Sequence, residues 1–531
     1  MMIAKTLSRY LFYLSLLLLA PIALSAYFQF FSQSHPQPHS FFPFLWTLLI
    51  ALGCSSVLYF IGKKGKDPLY RKESILLLIL IWILTTLISA LPFVFSKTLK
   101  PIDAFFEAMS GLTTTGATVI APKAFDSRTG DEIPIHLTNV HVPEKTYSYF
   151  GTIDPIRDVA TGMITHSGVE AVGKALLFWR SLLQWIGGIG IVVVFLAVLP
   201  VLGVGGKFLF QMETTGPIKD EIQPRVRMAA SRGWKLYASL TVLEMILLVS
   251  TNRDMPLFDA ICTSFSTIST GGFSVRNESI GSYHSLATET IVIIFMILGS
   301  INFSLYFHIL RMKFSKIYVP DFFLFLGVIA IGSIAISSFL IPEFGVANGF
   351  RQGIFQAVSV QTTTGFFSTN YDLWPFAPQM LMLILMFVGG MSGSTAGGIK
   401  TSRFYIAYKI LIHRLESIFR PDSIRKLYVG PSEVDDKNAL TVLTFFCIVA
   451  FSTTLGTILL VFDGIDPETA LGLISSFLNN SGIAFRAAGP TETMAFLSPF
   501  SKLMASFWML LGRLEFFAVL LLFLPSFWKN R

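Results

Sequence analysis

Small hydroxyl and amide side chains beside a glycine recur four times in a chain that is otherwise mostly apolar. The four polar clusters read TTTGAT (113–118), STGGFS (269–274), QTTTGFF (361–367) and NNSGI (479–483). Glycine adopts backbone dihedrals that other residues avoid, so carbonyl groups beside it can point towards a common axis. A ring of such carbonyls replaces the hydration shell of a small cation. The clusters therefore predict a carbonyl-lined path for a cation.

The hydroxyl and amide side chains that precede each glycine are expected to brace the loops from behind. These candidate supporting residues are Thr113, Thr114, Ser269, Thr270, Thr362, Thr363, Asn479 and Asn480. A single TTTG or STGG would be interpreted as a helix cap or a turn. Four such clusters in equivalent surroundings favour a selectivity filter.

The surroundings are equivalent because each cluster ends a short apolar segment that lies between two long ones. The short segments are 103–116, 259–272, 352–365 and 469–482. A helix needs about 20 residues to cross the hydrocarbon core, so these segments are predicted to be re-entrant pore helices. Non-helical backbone at membrane depth is tolerated only where it is buried in protein or lines a water-filled path. Each pore helix would also direct its partly negative C-terminal end towards the cavity, which favours a cation.

The composition excludes a soluble protein, since 53% of the 531 residues are hydrophobic, 14% are charged and the mean hydropathy is +0.64. About ten apolar runs are long enough to cross a hydrocarbon core. They lie at 10–31, 42–62, 74–96, 176–204, 236–252, 288–310, 321–341, 378–412, 438–462 and 502–528. We predict an all-α polytopic membrane protein. In it, four helix–pore-helix–loop–helix repeats surround a central pore in pseudo-fourfold arrangement, after two N-terminal transmembrane helices.

The repeats divide the chain into predicted segments. They are an N-terminal two-helix segment (1–73), repeat 1 (74–204), repeat 2 (205–319), repeat 3 (320–437) and repeat 4 (438–531). Repeat 1 carries a polar insertion (117–175) that is expected on the external face, as a structured cap or a variable loop. His136 and His141 in this insertion are the best support for a membrane enzyme, but no spacing there forms a catalytic set.

The formal net charge of +8 is attributed mainly to membrane topology. Basic residues collect in loops at 63–72, 207–235, 311–316 and 403–426, which the positive-inside rule places in the cytoplasm together with both termini. At the N-terminus, Lys5, Arg9 and the ALSA sequence (23–26) imitate a cleavable signal peptide. A retained first transmembrane helix is the favoured alternative, because the apolar run continues to Phe31.

The run from Pro378 to His413 is too long for one simple span, and GGMSGSTAGG (389–398) lies in its middle. Glycine, serine and threonine in such density make a poor continuous helix. The segment is either a flexible kink or close helix-packing surface, or an intramembrane loop that blocks and opens the path below the filter. We favour the loop. Its candidate gate residues are Gly389, Gly390, Gly393, Ser394, Thr395, Gly397, Gly398 and Lys400.

Arg513 is predicted near the middle of the last helix, where a charge is costly and marks function or pairing. Snorkelling to an interface is the alternative, although the position is too central to favour it. Glu515 is a poor partner for Arg513, because residues two apart on a helix point in different directions.

Six motifs together resemble the Trk/Ktr/HKT superfamily of potassium transporters, and its Trk-type potassium-uptake subunits in particular. They are TTTGAT, STISTGGFS, QTTTGF, LLQWIGGIGI (182–191), GGMSGSTAGGIK (389–400) and LGRLEFF (511–517). The resemblance covers nearly the whole chain and implies a filter lined by one glycine in each repeat. The implied K⁺ ligands are the backbone carbonyls of Thr115, Gly116, Gly271, Gly272, Thr364, Gly365, Ser481 and Gly482.

The family pattern also helps to choose between neighbouring residues. Phe273 parallels Phe366, which selects Gly272 as the filter glycine of the second cluster. Glycine at all four filter positions resembles the potassium-selective pattern of the family. Ile483 departs from it, because a proline is expected there.

The resemblance implies potassium uptake by a homodimer in the bacterial cytoplasmic membrane, with K⁺ as the transported ion and lipid around it. It also implies gating by 389–398, an electrostatic barrier at Arg513, and a separate cytosolic nucleotide-binding subunit of the TrkA type. The basic loops at 205–235 and 400–437 are candidate docking surfaces for that subunit. This chain has no P-loop and no dinucleotide-binding fingerprint, so neither an organic cofactor nor an enzyme activity is predicted. A Na⁺-permeable or ion-coupled symporter of the same fold is the main alternative, and a receptor or scaffold is a weaker one.

Overall fold

The computed structural model describes the chain outside residues 32–39, 66–69, 127, 139–144, 159–160, 199–225, 313–318, 420–426, 430–431, 435 and 530–531. Much of the basic loop at 205–235, an expected docking surface, therefore lies outside the described residues, as does His141. In the described part, helices predominate, and the strands lie in the insertion 117–175 and in one hairpin (Leu427–Val429 with Ser432–Val434).

The helices are numbered here in chain order. The first six are α1 (Met2–Leu17), α2 (Leu19–Phe30), α3 (Phe41–Gly62), α4 (Arg71–Phe95), α5 (Pro101–Leu112) and α6 (Lys174–Val198). The next six are α7 (Val226–Thr251), α8 (Leu257–Ile268), α9 (Leu286–Ser300), α10 (Phe303–Leu310), α11 (Pro320–Gln361) and α12 (Phe376–Phe387). The last six are α13 (Thr401–Phe419), α14 (Asp436–Phe462), α15 (Pro467–Asn479), α16 (Pro499–Arg513), α17 (Phe517–Leu520) and α18 (Pro525–Trp528).

Four short helical stretches end at the four polar clusters, as the sequence predicts. They are α5, α8, the last part of α11, and α15. Within α11, Gly345 has φ 77° and ψ 166°, which separates an outer helix from the third pore helix. Proline occupies the first turn of α5 and α15, and Pro256 immediately precedes α8. Proline suits a helix start because its φ is already helical and the first N–H has no partner within the helix.

The helix that follows each cluster is interrupted soon after it passes the pore helices. In α6 the interruption is at Gly190, whose φ is 78°. Helices α9 and α10 meet at 99°, and α16 meets the short helical turns after it at 115°. The run at 378–412 is interrupted by a loop, as the sequence indicates, whereas the runs at 288–310 and 502–528 are bent where the sequence shows no sign of a break. At the bend in 288–310, the Asn302 side chain caps the start of α10 by accepting a hydrogen bond from Ser304 N–H at 2.8 Å.

Within the described residues, six helices are long and apolar enough to cross a membrane, and two bent helix pairs raise that number to eight. The runs predicted at 10–31 and 42–62 are among the six, as Met2–Phe30 and Phe41–Gly62. Two predicted runs are not counted. In the run 378–412, helix α12 is too short to span a membrane by itself. In the run 176–204, the residues from 199 onwards are not among those described.

In its described residues, the insertion 117–175 forms three antiparallel hairpins, which a short 3₁₀ turn at Gly168–Ala171 follows. Its strands are β1 (Ala124–Phe125), β2 (Glu132–Ile133), β3 (Ile135–Thr138), β4 (Thr146–Tyr149), β5 (Ile156–Arg157) and β6 (Ile164–His166). His136 faces Ser148 across the β3–β4 ladder, with 2.8 Å between Nδ1 and the serine Oγ. The imidazole thus forms a hydrogen bond between the two strands of the hairpin.

Hairpin β3–β4 also holds the start of the fourth pore helix. Tyr147 Oη donates to Asp466 Oδ1 at 2.6 Å, and the N–H of Asp466 donates to that hydroxyl at 2.9 Å. Burial raises the pKa of Tyr147, so the hydroxyl keeps its proton at neutral pH and can continue to donate. Asp466 at the same time caps α15 by accepting from the N–H of Thr469 at 2.9 Å.

Polar side chains join consecutive repeats around the molecule. Lys502 of repeat 4 lies 2.6 Å from Asp103 of repeat 1, and both side chains are largely buried. Arg351 of repeat 3 binds Glu289 of repeat 2 through two nitrogens, at 2.7 and 2.8 Å. A third contact places Arg486 of repeat 4 at 3.3 Å from Asp372 of repeat 3. These pairs hold each repeat against its neighbour.

Replacing Lys502 with methionine leaves Asp103 buried without this partner. Removing one member of a buried ion pair costs about 3–5 kcal/mol, because the remaining charge is uncompensated. We expect a lower thermal unfolding midpoint for detergent-purified Lys502→Met protein, and little change for Lys100→Met, whose side chain is exposed. Equal midpoints for the two variants would show that this ion pair does not stabilise the contact between the repeats.

Candidate functional site

The four polar clusters meet and close into a ring. A Cβ atom added to the predicted filter glycine of any cluster would overlap a carbonyl oxygen of the next cluster, and the fourth cluster returns to the first. The contacts run from Gly116 to the Gly271 carbonyl, from Gly272 to that of Thr364, from Gly365 to that of Ser481, and from Gly482 to that of Thr115. We call these glycines and carbonyls the ring. Its cyclic order is the order of the repeats in the chain.

The backbone of all four clusters follows the same path. Each has two left-handed residues separated by one other residue. The first has φ of 54° at Thr114, 53° at Thr270, 55° at Thr363 and 52° at Asn480. The second is the ring glycine, with φ of 82° at Gly116, 79° at Gly272, 85° at Gly365 and 69° at Gly482. Left-handed dihedrals are unusual for a β-branched residue such as threonine, so the surrounding contacts must hold this conformation in place.

The predicted supporting side chains occupy positions beneath the ring. The first of them in each cluster donates to a carbonyl in the last turn of its own pore helix. The bonds are Thr113 to Met109 (2.7 Å), Ser269 to Phe265 (2.7 Å), Thr362 to Val358 (2.7 Å) and Asn479 to Ser475 (2.8 Å). Asn480 joins the fourth cluster to the first, because its amide donates to Thr115 Oγ1 at 3.0 Å.

The segment 389–398, predicted to be a gate, forms a compact loop between α12 and α13. Residues Val388 and Ile399 pair across its base, and the N–H of Gly389 donates to the Ile399 carbonyl at 3.0 Å. Gly393 and Gly398 have φ of 78° and 69°, which a continuous helix cannot contain. Inside the loop, Ser394 Oγ donates to Met391 O at 2.6 Å, and the Lys400 ammonium donates to the Ala396 carbonyl.

This loop touches the undersides of three clusters. Thr395 Oγ1 lies 2.9 Å from the Ile268 carbonyl at the end of the second pore helix. The N–H of Gly397 donates to Thr363 Oγ1 of the third cluster at 2.7 Å. A Cβ on Gly397 would overlap the Asn479 carbonyl of the fourth cluster. The loop therefore packs against the C-terminal ends of the pore helices, where the chain enters the clusters.

Arg513 lies at the C-terminal end of α16, so its predicted position near the middle of a helix is wrong. The helix ends there because Glu515 and Phe516 turn into the left-handed region, with φ of 55° and 62°. Glu515 then pairs with Arg403 of α13 at 2.6 Å.

The Arg513 guanidinium binds carbonyl oxygens on two sides. It donates to Thr395 O of the loop at 2.9 Å, and to Gly187 O and Gly188 O of α6 at 2.5 and 3.1 Å. A cation at a helix C-terminus is favoured by the partial negative charge of the last carbonyls. Arg513 thus connects the loop to the helix of repeat 1 below the ring.

The sequence interpretation missed a buried ion pair beside the ring. Arg180 of α6 binds Glu107 of the first pore helix at 2.8 Å, and both side chains are almost fully buried. Glu107 also accepts from Thr118 Oγ1 and from the N–H of Val119, both just beyond the first cluster. An acidic residue inside a short apolar segment and an arginine inside an apolar run were the available signals.

The chain matches the family described as "TrkH: Cation transport protein" over residues 156–327 and 319–530. It is 32% identical over 496 residues to the "Trk system potassium uptake protein TrkH" of Salmonella typhimurium (strain LT2), which covers 92% of each chain. It is 31% identical over 498 residues to the "Trk system potassium uptake protein TrkG" of Escherichia coli (strain K12), again covering 92% of each chain.

A solved structure extends the likeness to three dimensions. The crystal structure of the potassium transporter TrkH from Vibrio parahaemolyticus aligns with a TM-score of 0.79 and 28% sequence identity, covering 99% of each chain. The predicted fold class, with four repeats around a central axis and two helices before them, is confirmed by this agreement together with the ring.

Proposed function

We propose that this chain, which belongs to the TrkH family of cation transport proteins, takes up potassium ions through the ring. The observation that carries this proposal is the closed cycle of glycines and carbonyls contributed by four clusters of one chain. The names of its relatives, which are potassium uptake proteins, favour K⁺ over other small cations.

The ring suits a cation for two physical reasons. Carbonyl oxygens carry partial negative charge and can replace the water that an ion loses on entry. The four pore helices also end at the clusters, so the partly negative ends of their dipoles meet near the path. The residues that would hold the ion are those of the predicted set, Thr115, Gly116, Gly271, Gly272, Thr364, Gly365, Ser481 and Gly482.

The loop 389–398 and Arg513 are proposed to control passage below the ring. The loop packs under three clusters, so it must move before an ion can leave in that direction. Arg513 contributes a positive charge beside the same path and fixes the loop through Thr395. Repulsion by this charge and closure by the loop act together as the barrier.

Assembly and orientation belong to the same proposal. The chain works as a homodimer in the cytoplasmic membrane with both termini inside, and a cytosolic nucleotide-binding subunit of the TrkA type regulates it. The excess of basic residues in the loops assigned to the cytoplasm supports this orientation. We propose that the chain is a transporter and not an enzyme. Coupling to a second ion, as in a symporter, is the alternative mode of transport.

The first test is rescue of a bacterium that lacks potassium uptake. We expect the chain to restore growth at low K⁺ and to take up Rb⁺ in preference to Na⁺. Gly365→Asp should abolish growth and Rb⁺ uptake, because the new side chain would overlap the Ser481 carbonyl. Residue 365 is also left-handed, a conformation that aspartate adopts less readily than glycine.

The matched control for this test is Gly130→Asp. Gly130 is also left-handed, with φ 74°, but it lies in the insertion with open space around it. Selective Rb⁺ uptake that survives in Gly365→Asp protein would contradict the role of the ring.

The second test concerns the loop. Thr395→Val keeps the shape of the side chain but removes the hydroxyl, whose single proton is shared between the Ile268 and Gly299 carbonyls, each 2.9 Å from Oγ1. Loss of this shared hydrogen bond destabilises the closed loop by about 1 kcal/mol. We therefore expect faster Rb⁺ flux into proteoliposomes, and faster still after deletion of 391–396. Thr444→Val, on the exposed surface of α14, is the control and should match wild type. Unchanged flux in both loop variants, with normal amounts of folded protein, would rule out the loop as a gate.

The third test concerns the charge below the ring. Arg513→Ala removes both the positive charge and the link to Thr395, so Rb⁺ flux should rise. Arg513→Lys keeps the positive charge, but a lysine ammonium lacks the planar set of donors with which the guanidinium binds carbonyls on two sides. An intermediate flux is therefore expected. Equal or slower flux in Arg513→Ala at equal expression would eliminate the barrier role.

A further inference from the structure

We propose that Gln184 of α6 is a positioning residue for ion selectivity, because its amide donates a hydrogen bond to one of the four ring carbonyls. This inference rests on the proposed function of the ring. Gln184 lies outside the clusters, and its contact distinguishes the second cluster from the other three.

The Gln184 amide binds the second cluster on both sides of its ring glycine. Its Nε2 donates to the Gly271 carbonyl at 2.6 Å, and its Oε1 accepts from the N–H of Phe273 at 3.0 Å. A backbone N–H can only donate, so the Phe273 contact fixes which end of the amide is oxygen. The nitrogen must therefore face Gly271. The side chain is fully buried.

The carbonyl that Gln184 contacts is a ring carbonyl. A Cβ on Gly116 would overlap the Gly271 oxygen in the same way that the other three ring glycines meet the carbonyls of Thr364, Ser481 and Thr115. In the part of the chain that the structure describes, no side chain donates to those other three oxygens. One ring carbonyl in four is therefore already engaged from behind.

Neighbouring residues hold Gln184 and its target in register. Arg180 lies one turn earlier on the same face of α6, 4.0 Å from the centre of the Phe273 ring. Its guanidinium also donates to the Ser274 carbonyl at 3.3 Å and pairs with Glu107. Two consecutive turns of repeat 1 thus bind the second cluster from Gly271 to Ser274.

The contact has a consequence for the ion. A carbonyl oxygen has two lone pairs, and the amide donor occupies one of them. The oxygen then offers a weaker field to a cation and is less free to move inwards. The field strength and the mobility of filter carbonyls influence the choice between K⁺ and the smaller Na⁺. A weaker and more rigid ring disfavours Na⁺, whose hydration shell is more costly to replace.

The test replaces the donor but keeps the acceptor. In Gln184→Glu, one oxygen still accepts from Phe273 N–H while the other can no longer donate as a carboxylate to Gly271. We expect the ratio of Rb⁺ to Na⁺ uptake in proteoliposomes to fall by roughly fivefold, the size of one lost hydrogen bond of about 1 kcal/mol. Gln184→Met, which removes both contacts without adding a charge, should lower the ratio as well.

The matched controls are Gln379→Glu and Gln379→Met. Gln379 of α12 is also buried and lies outside the four clusters. Its Oε1 accepts from Arg486 at 2.8 Å and its Nε2 donates to the Asp372 carbonyl at 2.8 Å, and neither partner belongs to the ring. A purely structural role for Gln184 would lower the uptake of both ions together and leave their ratio unchanged. The ratio therefore separates positioning of the carbonyl from general stability.

The possible outcomes are distinguishable. A ratio that falls in both Gln184 variants and stays constant in both Gln379 variants supports the inference. An unchanged ratio in the Gln184 variants overturns it, and so does loss of folded protein in both Gln184 variants while the Gln379 variants fold. If the wild-type chain takes up no Rb⁺, the proposed function fails instead.

Discussion

The close approach of each ring glycine to a carbonyl of the next cluster is the contact on which the rest of the structure depends. Any side chain at these four positions would occupy the place of a neighbouring backbone oxygen. The same four glycines are left-handed, which other residues rarely tolerate. The pore helices, the hydroxyl groups beneath them and the breaks in the following helices all surround this contact. The architecture can thus be understood as a means of bringing four loops within van der Waals distance of each other.

Two further layers support the ring from the side and from below. At the side, buried charges of neighbouring repeats are paired, as in Lys502 with Asp103. Such pairs add little net stability but are costly to break, so they favour one arrangement of the repeats. Below, glycines of the following helices approach the last carbonyls of the pore helices, with Gly187 at Leu112 and Gly512 at Leu478. The helices break soon after these contacts, which allows a loop to form under the ring without disturbing it.

Much of this site could be predicted from the sequence, because its elements are local. A short apolar segment, a hydroxyl cluster and a glycine are adjacent in the chain, and so are the small residues of the loop 389–398. The contacts between repeats are different in kind. Asn480 and Thr115 are 365 residues apart, and nothing in either segment identifies its partner. The break after Arg513 was also hidden, since the left-handed residues there are Glu515 and Phe516 and not glycine. The three hairpins of the insertion could not be predicted, because their strands, β1 to β6, are only two to four residues long.

Anomalous diffraction from crystals grown in Rb⁺ would show most directly whether a partly dehydrated cation occupies the ring. Rubidium can be located by its scattering and is close to K⁺ in size and charge. We expect anomalous density on the axis of the ring, bounded by the carbonyls of Thr115, Gly271, Thr364 and Ser481. Rubidium density elsewhere in the membrane region, with none between these four carbonyls, would contradict it.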